Sequence, residues 1–530
     1  MATNKHNTYN TLFHWHSFRL KLVFEGLAVG VITGLLVVLY RFILEEAGLM
    51  LTEIYTILAE RPVLIPIWIG VLIVIGYVLG LLVQHNPMIS GSGIPQVEGV
   101  LLRKLTMNWW KVILGKFIGG VLAIGSGLSM GREGPSVQLG AAVGQGFSQV
   151  LKRVKIEEKY LTTSGASAGL AAAFGAPLAG VMFALEEVHK NFSPLVLLSA
   201  VSAAVSADFI TSEFFGLEPV LNFANLHDFP LHLYFYLIIL GAIIGVLGVV
   251  FNRTLLKTQD LYARQNWLPK KFRVIIPLMI SVFLGFFLPQ VLGGGHELIA
   301  SLVTKGNYPA KILLILILVK FLFTMASYGS GAPGGIFLPL LAIGALIGNI
   351  YGVTLVYIFH MDSMFINNFI ILAMAGYFTA VVRAPITGTI LITEMTGSFS
   401  HLLTLAIVSI VAYIVADLLG SKPIYESLLE KFLHNQGEGM AVGNEKSKSI
   451  LEFAVCMGSM LDSKQIKEIK WPAHCLLVSV KRGDREIIPK GDTVIYPGDY
   501  LIVLTNEDKV AKINDALICL VESCEIQNSR

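Results

Sequence analysis

Three glycine-proline clusters carry the residues best placed for chemistry: Gly91-Ser92-Gly93-Ile94-Pro95, Gly131-Arg132-Glu133-Gly134-Pro135 and Gly334-Gly335-Ile336-Phe337-Leu338-Pro339. Each reads as a tight turn with few side chains, its proline set to open a helix. The first turn of a helix leaves backbone N–H groups unpaired and carries partial positive charge. Glycines let a ligand come close to that backbone. Gly91, Gly93, Gly131, Gly134, Gly334 and Gly335 therefore outline a path on which a partly dehydrated anion is held without a full positive charge, tightly enough to bind and loosely enough to leave. Glu133 lies inside one of these turns. Ionised, it can occupy an anion site and block it; protonated, it has no reason to stay. One side chain can thus compete with an anion and carry a proton.

The elements that position these turns are apolar. The chain has 530 residues, 54% hydrophobic and 14% charged, with a mean hydropathy of +0.70. A soluble domain averages about 25% charged residues. Segments long enough to enter a bilayer recur near 22–44, 63–84, 109–129, 161–187, 193–212, 231–253, 273–292, 311–327, 335–359, 367–395 and 402–420. Several are too short, or too broken by glycine and proline, for a straight span. Such breaks are tolerated where protein or a water-filled cavity covers the freed backbone, as in a transporter or channel. The first apolar stretch runs to Tyr40, too long for a cleaved signal peptide. Lys5, Arg19 and Lys21 ahead of it favour a cytoplasmic N-terminus.

The chain repeats itself. Pro135, Gly140 and Gly144 recur as Pro339, Gly344 and Gly348, 204 residues later. Ala176-Pro177, Gly180 and Glu186 recur as Ala384-Pro385, Gly388 and Glu394, 208 residues later. Interrupted segments in matching positions of two halves point to a binding site near mid-membrane. Glu187 has no acidic mate; its counterpart is Met395.

Other features exclude functions. A net charge of +3 with no basic block leaves nothing for nucleic acid. Neither a His-Glu-x-x-His nor a Gly-x-Ser-x-Gly pattern appears, so no enzyme is expected. Cys456, Cys475, Cys519 and Cys524 lack metal or redox spacing and read as free thiols in a reducing cytosol. No metal is expected. Gly293-Gly294-Gly295-His296-Glu297 reads as a surface turn opening a helix, and Arg132 and Arg383 as side chains tied to backbone carbonyls.

The three clusters, with Gly175-Ala176-Pro177-Leu178-Ala179-Gly180 and Lys422-Pro423-Ile424-Tyr425, resemble in order the signature segments of the CLC chloride channels and chloride/proton exchangers. The resemblance covers roughly residues 20–430. It implies an all-α integral membrane fold, an inverted repeat of tilted and re-entrant helices, in a homodimer with one pore per subunit. It implies that Ser92 and Tyr425 offer hydroxyls to the central chloride, and Ile336 and Phe337 their backbone N–H groups. Ser92 matches the chloride-preferring version; nitrate-preferring members have proline there. Glu133 matches the external gate, and Glu187 the second glutamate that passes protons from the cytoplasm in the exchangers, where channels generally carry a non-acidic residue. Glu98 and Lys116 resemble a structural ion pair. The expected function is chloride/proton antiport without a cofactor, in the cell membrane; the alternative is a passive voltage- or pH-gated chloride channel on the same scaffold.

The tail differs. From Asn444 onward charged residues are frequent, and β-rich runs at Cys475–Lys481, Ile487-Ile488-Pro489 and Tyr500–Leu504 alternate with turns before a helix at Val510–Cys519. This resembles the TrkA-C (RCK-C) type of α/β domain, a cytoplasmic module that dimerises or senses an unidentified small ligand. The expected organisation is a transport domain at 1–435, a linker at 436–455 and a regulatory domain at 456–530.

Overall fold

The structure, a computed structural model, describes residues 5–221, 223, 226–265, 269–305, 308–435, 448–483, 485–506 and 509–521. It divides into two compact units, Met1–Phe432 and Leu433–Arg530.

The larger unit runs through one helix order twice. Helices Lys5–Glu60, Ile65–His85, Ile94–Leu101, Trp109–Gly125, Glu133–Val150, Lys155–Phe174, Pro177–Phe183 and Pro194–Phe215 form the first half. Tyr234–Arg264, Ile275–Phe287, His296–Lys305, Ala310–Gly329, Phe337–Phe359, Ile366–Val382, Pro385–Thr396 and Leu402–Leu418 follow in the same sequence. One further helix, Ile424–Asn435, closes the series. Among the described residues eight helices are long and apolar enough to cross a membrane. Others are short: Ile94–Leu101 has 8 residues and Pro177–Phe183 has 7, about 11–12 Å at 1.5 Å per residue. Such pieces reach only partway through a bilayer of about 30 Å.

The repeated glycines have a packing reason. A Cβ on Gly140 would run into the carbonyl of Gly165 on the next helix, and one on Gly344 would sit 3.0 Å from the carbonyl oxygen of Ala373. In each half these positions let the proline-led helix press its backbone against its successor. An extensive apolar cluster runs from Leu72 in the first half to Leu428, with smaller clusters beside it. Phe24, Val74, Phe209, Phe283 and Leu318 lie exposed outside it, as lipid-facing side chains do.

The smaller unit is a four-stranded antiparallel sheet, with strands β1 (Lys448–Ala454), β2 (Cys475–Arg482), β3 (Arg485–Ile487) and β4 (Asp499–Asn506) in the order β1-β4-β2-β3, and a helix at Val510–Val521. Its core gathers Phe453, Leu461, Val480, Leu501, Val503, Ile513 and Leu517. The segment expected as linker therefore contains a strand: Lys448–Ala454 pairs along its whole length with β4. Residues 436–447 of that linker lie outside the described residues, as do Asp484 and Cys524.

Candidate functional site

The first cluster is a turn that needs glycine twice: Gly91 and Gly93 both have positive φ, 59° and 90°. Lys116, wholly buried, steadies the turn by donating to the carbonyls of Ile89 at 3.0 Å and Gly91 at 2.6 Å. Ser92 follows, buried, its Oγ accepting from the Ile94 N–H at 3.2 Å. The other two clusters close on this one. The Gly334 N–H donates to the Gly91 carbonyl at 2.9 Å. Gly131 and Gly335 exchange two N–H···O bonds of 2.8 Å as an isolated antiparallel bridge. Gly134 lies so near Ser92 that a Cβ there would stand 2.8 Å from the serine Cβ and 2.9 Å from its carbonyl oxygen. The helices opening at Ile94, Glu133 and Phe337 thus bring their N-termini to one place, where their partial positive charges add.

Ile336 is the N-cap of the Phe337 helix and Phe337 its first residue, so their N–H groups belong to the part of a helix that lacks intrahelical acceptors. The Phe337 ring packs on Phe378 at 4.5 Å, Phe174 at 5.2 Å and Phe183 at 6.1 Å between centroids. Phe183 in turn meets Tyr425 edge-on at 6.4 Å. Tyr425, second residue of the last helix of the unit, is fully buried, and its hydroxyl has no partner among the described residues. A buried hydroxyl left unpaired costs about 1–3 kcal/mol, so an acceptor brought to it is favoured.

Glu133 is fully buried, and its carboxylate meets no side-chain partner among the described residues; the donors nearest it are backbone N–H groups, its own and that of Leu338. The carboxyl group folds back over Gly131, where a Cβ would collide with it. The adjacent Arg132 does not neutralise it directly: that guanidinium is bound to Glu45 at 3.0 Å, and Glu45 also takes Arg41 at 2.8 Å. The expectation that Arg132 is tied to backbone carbonyls is corrected here, because Glu45 offers it a charged acceptor. Arg383 is tied to carbonyls, those of Tyr413 at 2.6 Å and Ser421 at 2.7 Å.

Glu186 and Glu187 separate. Glu186 caps the N-terminus of the Pro385 helix, accepting from the N–H groups of Ile386 at 3.3 Å and Thr387 at 2.8 Å and from the Thr387 hydroxyl. Glu394 returns the arrangement, accepting from Leu178 at 3.0 Å and Ala179 at 2.7 Å. The glutamate that recurs in both halves is thus a reciprocal cap. Glu187 is buried in a π turn, Ala184–His189, and its Oε1 has no partner among the described residues. Single π turns inside helices are frequent at functional sites.

A pairing of Glu98 with Lys116 does not form. Glu98 Oε1 is 2.6 Å from Lys190 Nζ, while Lys116 gives its ammonium to the two turn carbonyls. The polar backbone of the Gly91 turn lies within reach of Lys116; Glu98, further along its helix, meets Lys190 instead. The run Gly293–Glu297 is a turn that opens the helix at His296, as expected, and it also has a mate in the first half. Lys320, 204 residues after Lys116, donates to the carbonyls of Val291 at 2.9 Å and Gly293 at 2.8 Å, so this turn is the second-half mate of the Gly91 turn. The signal lay in the shared lysine spacing.

A membrane unit of two inverted halves, whose helix ends and glycine turns meet at buried hydroxyls and a buried carboxylate, is the architecture of an ion-conducting protein. Residues 75–417 match the family described as voltage gated chloride channel, and residues 450–517 match the TrkA-C domain. The H(+)/Cl(-) exchange transporter ClcA of Vibrio cholerae serotype O1 is 37% identical over 428 residues, covering 78% of this chain and 90% of that protein. ClcA of Salmonella paratyphi C is 34% identical over 440 residues, 81% of this chain and 92% of its own length. Among solved structures, a slow cyanobacterial Cl-/H+ antiporter superposes with a TM-score of 0.75 at 31% identity, covering 78% of this chain and 99% of that one. A CLC-type fluoride/proton antiporter gives 0.64 at 28% identity, over 77% and 97%. The chain belongs to the voltage-gated chloride channel (CLC) family and carries a TrkA-C domain at its C-terminal end.

Proposed function

We propose that this protein exchanges chloride for protons across the membrane, with Glu133 as the gate and Glu187 as the internal proton relay. The observation that carries the reading is Glu133: a buried carboxylate met by backbone N–H groups and by no side-chain partner among the described residues, beside three converging helix N-termini. An intramembrane carboxylate is costly and is kept for function. The field that stabilises its ionised form is the field that binds an anion, so carboxylate and chloride compete for one place. Protonation removes the charge and frees the site. The relatives named as exchangers support coupling over passive flow, as does the acid at position 187.

Chloride passes Tyr425 and Ser92, drawn by their hydroxyls and by the N–H groups of Ile336 and Phe337, and reaches the place Glu133 leaves. Protons take Glu187 and Glu133. The unit works as a homodimer in lipid, one pathway in each subunit, and the tail at 456–530 is a cytoplasmic regulatory domain open to a small ligand. The test is reconstitution in liposomes under a chloride gradient with internal pH recorded: protons should move uphill against their own gradient. Chloride flux with no proton movement in the wild type turns the reading into a passive channel.

A further inference from the structure

Lys190, the partner of Glu98, has no part in the transport reading above. It follows the π turn that holds Glu187 and adopts positive φ, 53°, which ends the helix there. Its Nζ lies 2.6 Å from Glu98 Oε1 and 3.9 Å from Glu426 Oε2. One ammonium therefore meets carboxylates from two other helices, Ile94–Leu101 and Ile424–Asn435, while Glu187 precedes it by one turn of its own. One of these acids faces solvent and two do not: the side chain of Glu426 is 45% exposed, whereas Glu98 and Glu187 are both buried. Glu98 Oε2 and Glu187 Oε1 are both buried without a partner among the described residues. Glu186, the remaining acid that acts on Glu187, has both oxygens occupied as a helix cap, and Lys104 is the other cation that acts on Glu98.

We propose that Lys190 is a positioning residue for proton transfer at the inner end of the path, holding Glu98 beside Glu187 so that Glu426, Glu98 and Glu187 form a ladder of carboxyl groups from solvent to the relay. The proposal rests on the antiporter reading. Each step is a proton passed from a carboxylic acid to a neighbouring carboxylate, directly or through one water, with no other bond changed. Two buried acids whose charges act on one another cannot both ionise without a counter-charge. The Lys190 ammonium supplies that counter-charge and favours the ionised form of either acid in turn.

The sign of the test follows. Without the cation the acids keep their protons to higher pH, since a nearby opposite charge is worth about 1–3 pKa units. In liposomes, Lys190→Met should keep chloride flux, lower proton flux about tenfold, and move the inner-pH midpoint of proton transport upward by about one unit. Lys190→Arg should restore the wild-type profile, which a merely space-filling role would not require. Glu426→Gln, at an exposed position, should move the midpoint the opposite way by a smaller amount. An unchanged inner-pH profile in Lys190→Met with coupling intact in the wild type overturns this proposal alone. If Lys190→Met does not fold, a Glu426→Gln profile that coincides with the wild type overturns it. Chloride flux without protons in the wild type overturns both this proposal and the reading beneath it.

Discussion

The two halves of the membrane unit agree at the residues that build it and disagree at those assigned chemistry. Lys116 and Lys320 brace equivalent turns through pairs of carbonyls. Gly131 and Gly335 bond to each other across the local two-fold. Glu186 and Glu394 cap each other's partner helix. Against these stand Ser92 and Gly294, Glu133 and Phe337, Glu187 and Met395: in each pair one half has a polar or acidic group and the other none. A symmetric frame can hold an ion at its centre but has no direction. Ser92, Glu133 and Glu187 all belong to the first half.

The comparison breaks hardest at Glu133. Glu133→Gln copies the protonated state, with similar size, no charge and no proton to exchange. Proton transport should fall to background while chloride flux persists and loses its dependence on external pH. Uphill proton movement in that variant would remove the carboxylate from the mechanism. Glu187→Gln should also abolish proton movement with chloride still passing, whereas Met395, its mate, should tolerate leucine with coupling unchanged.

The matched residues should fail differently. Glu186→Ala or Glu394→Ala strips the acceptor from two backbone N–H groups at a helix start. A buried donor left unpaired costs about 1–3 kcal/mol, so each variant should lower the thermal unfolding midpoint while surviving protein still couples protons to chloride. Equal losses at the two sites are expected from reciprocal caps. A wild-type midpoint with lost coupling would instead make Glu186 part of the proton path.

Smaller still is the effect at Ser92. Ser92→Pro removes a hydroxyl that favours the more strongly hydrated ion, worth on the order of 1 kcal/mol. Nitrate should gain about fivefold over chloride in competition flux assays. Unchanged selectivity would mean that Ser92 does not touch the permeating anion.

Much of this contrast was legible in the sequence, and the parts that were not share a cause. Proline-glycine spacing reports backbone geometry directly, so the turns, their recurrence and the odd acid at 187 could be read from residue types alone. Partners of long charged side chains could not. Glu98 and Lys116 are eighteen positions apart, but which cation reaches Glu98 depends on the left-handed turn at Lys190. The caps at Glu186 and Glu394 depend on N–H groups 200 to 216 residues away. The strand at Lys448–Ala454 was missed because it follows a polar stretch and is half of a pairing with β4. A strand that pairs only with a distant one carries no turn signal of its own.

The tail offers the gentlest way to sharpen the comparison, since it holds no residue assigned to either ion path. Its own anchor is electrostatic. Asp499, buried at the start of β4, accepts from Arg482 Nε at 2.8 Å, Arg482 Nη2 at 2.7 Å and the Tyr496 N–H at 2.9 Å. Burial alone would raise the Asp499 carboxyl, but the Arg482 and Tyr496 bonds outweigh it and hold the carboxyl below its ordinary value. A depressed carboxyl contributes stability that is present above its unfolded value of about 3.9 and lost as pH falls through the lower folded value. Asp499→Asn should therefore loosen the tail at pH 7 by about 1–3 kcal/mol, with the difference from wild type closing as pH falls below about 4. Proton-coupled chloride transport should not change, because the hydrogen bonds described for that carboxylate come from Arg482 and Tyr496 of the tail. Deleting Lys446–Arg530 should go further in structure and no further in function: coupled transport persists, at an altered rate if the tail regulates. Loss of all transport in a well-folded truncated protein would mean that the tail belongs to the transport machinery, and that the contrast between a building frame and a few asymmetric residues is incomplete.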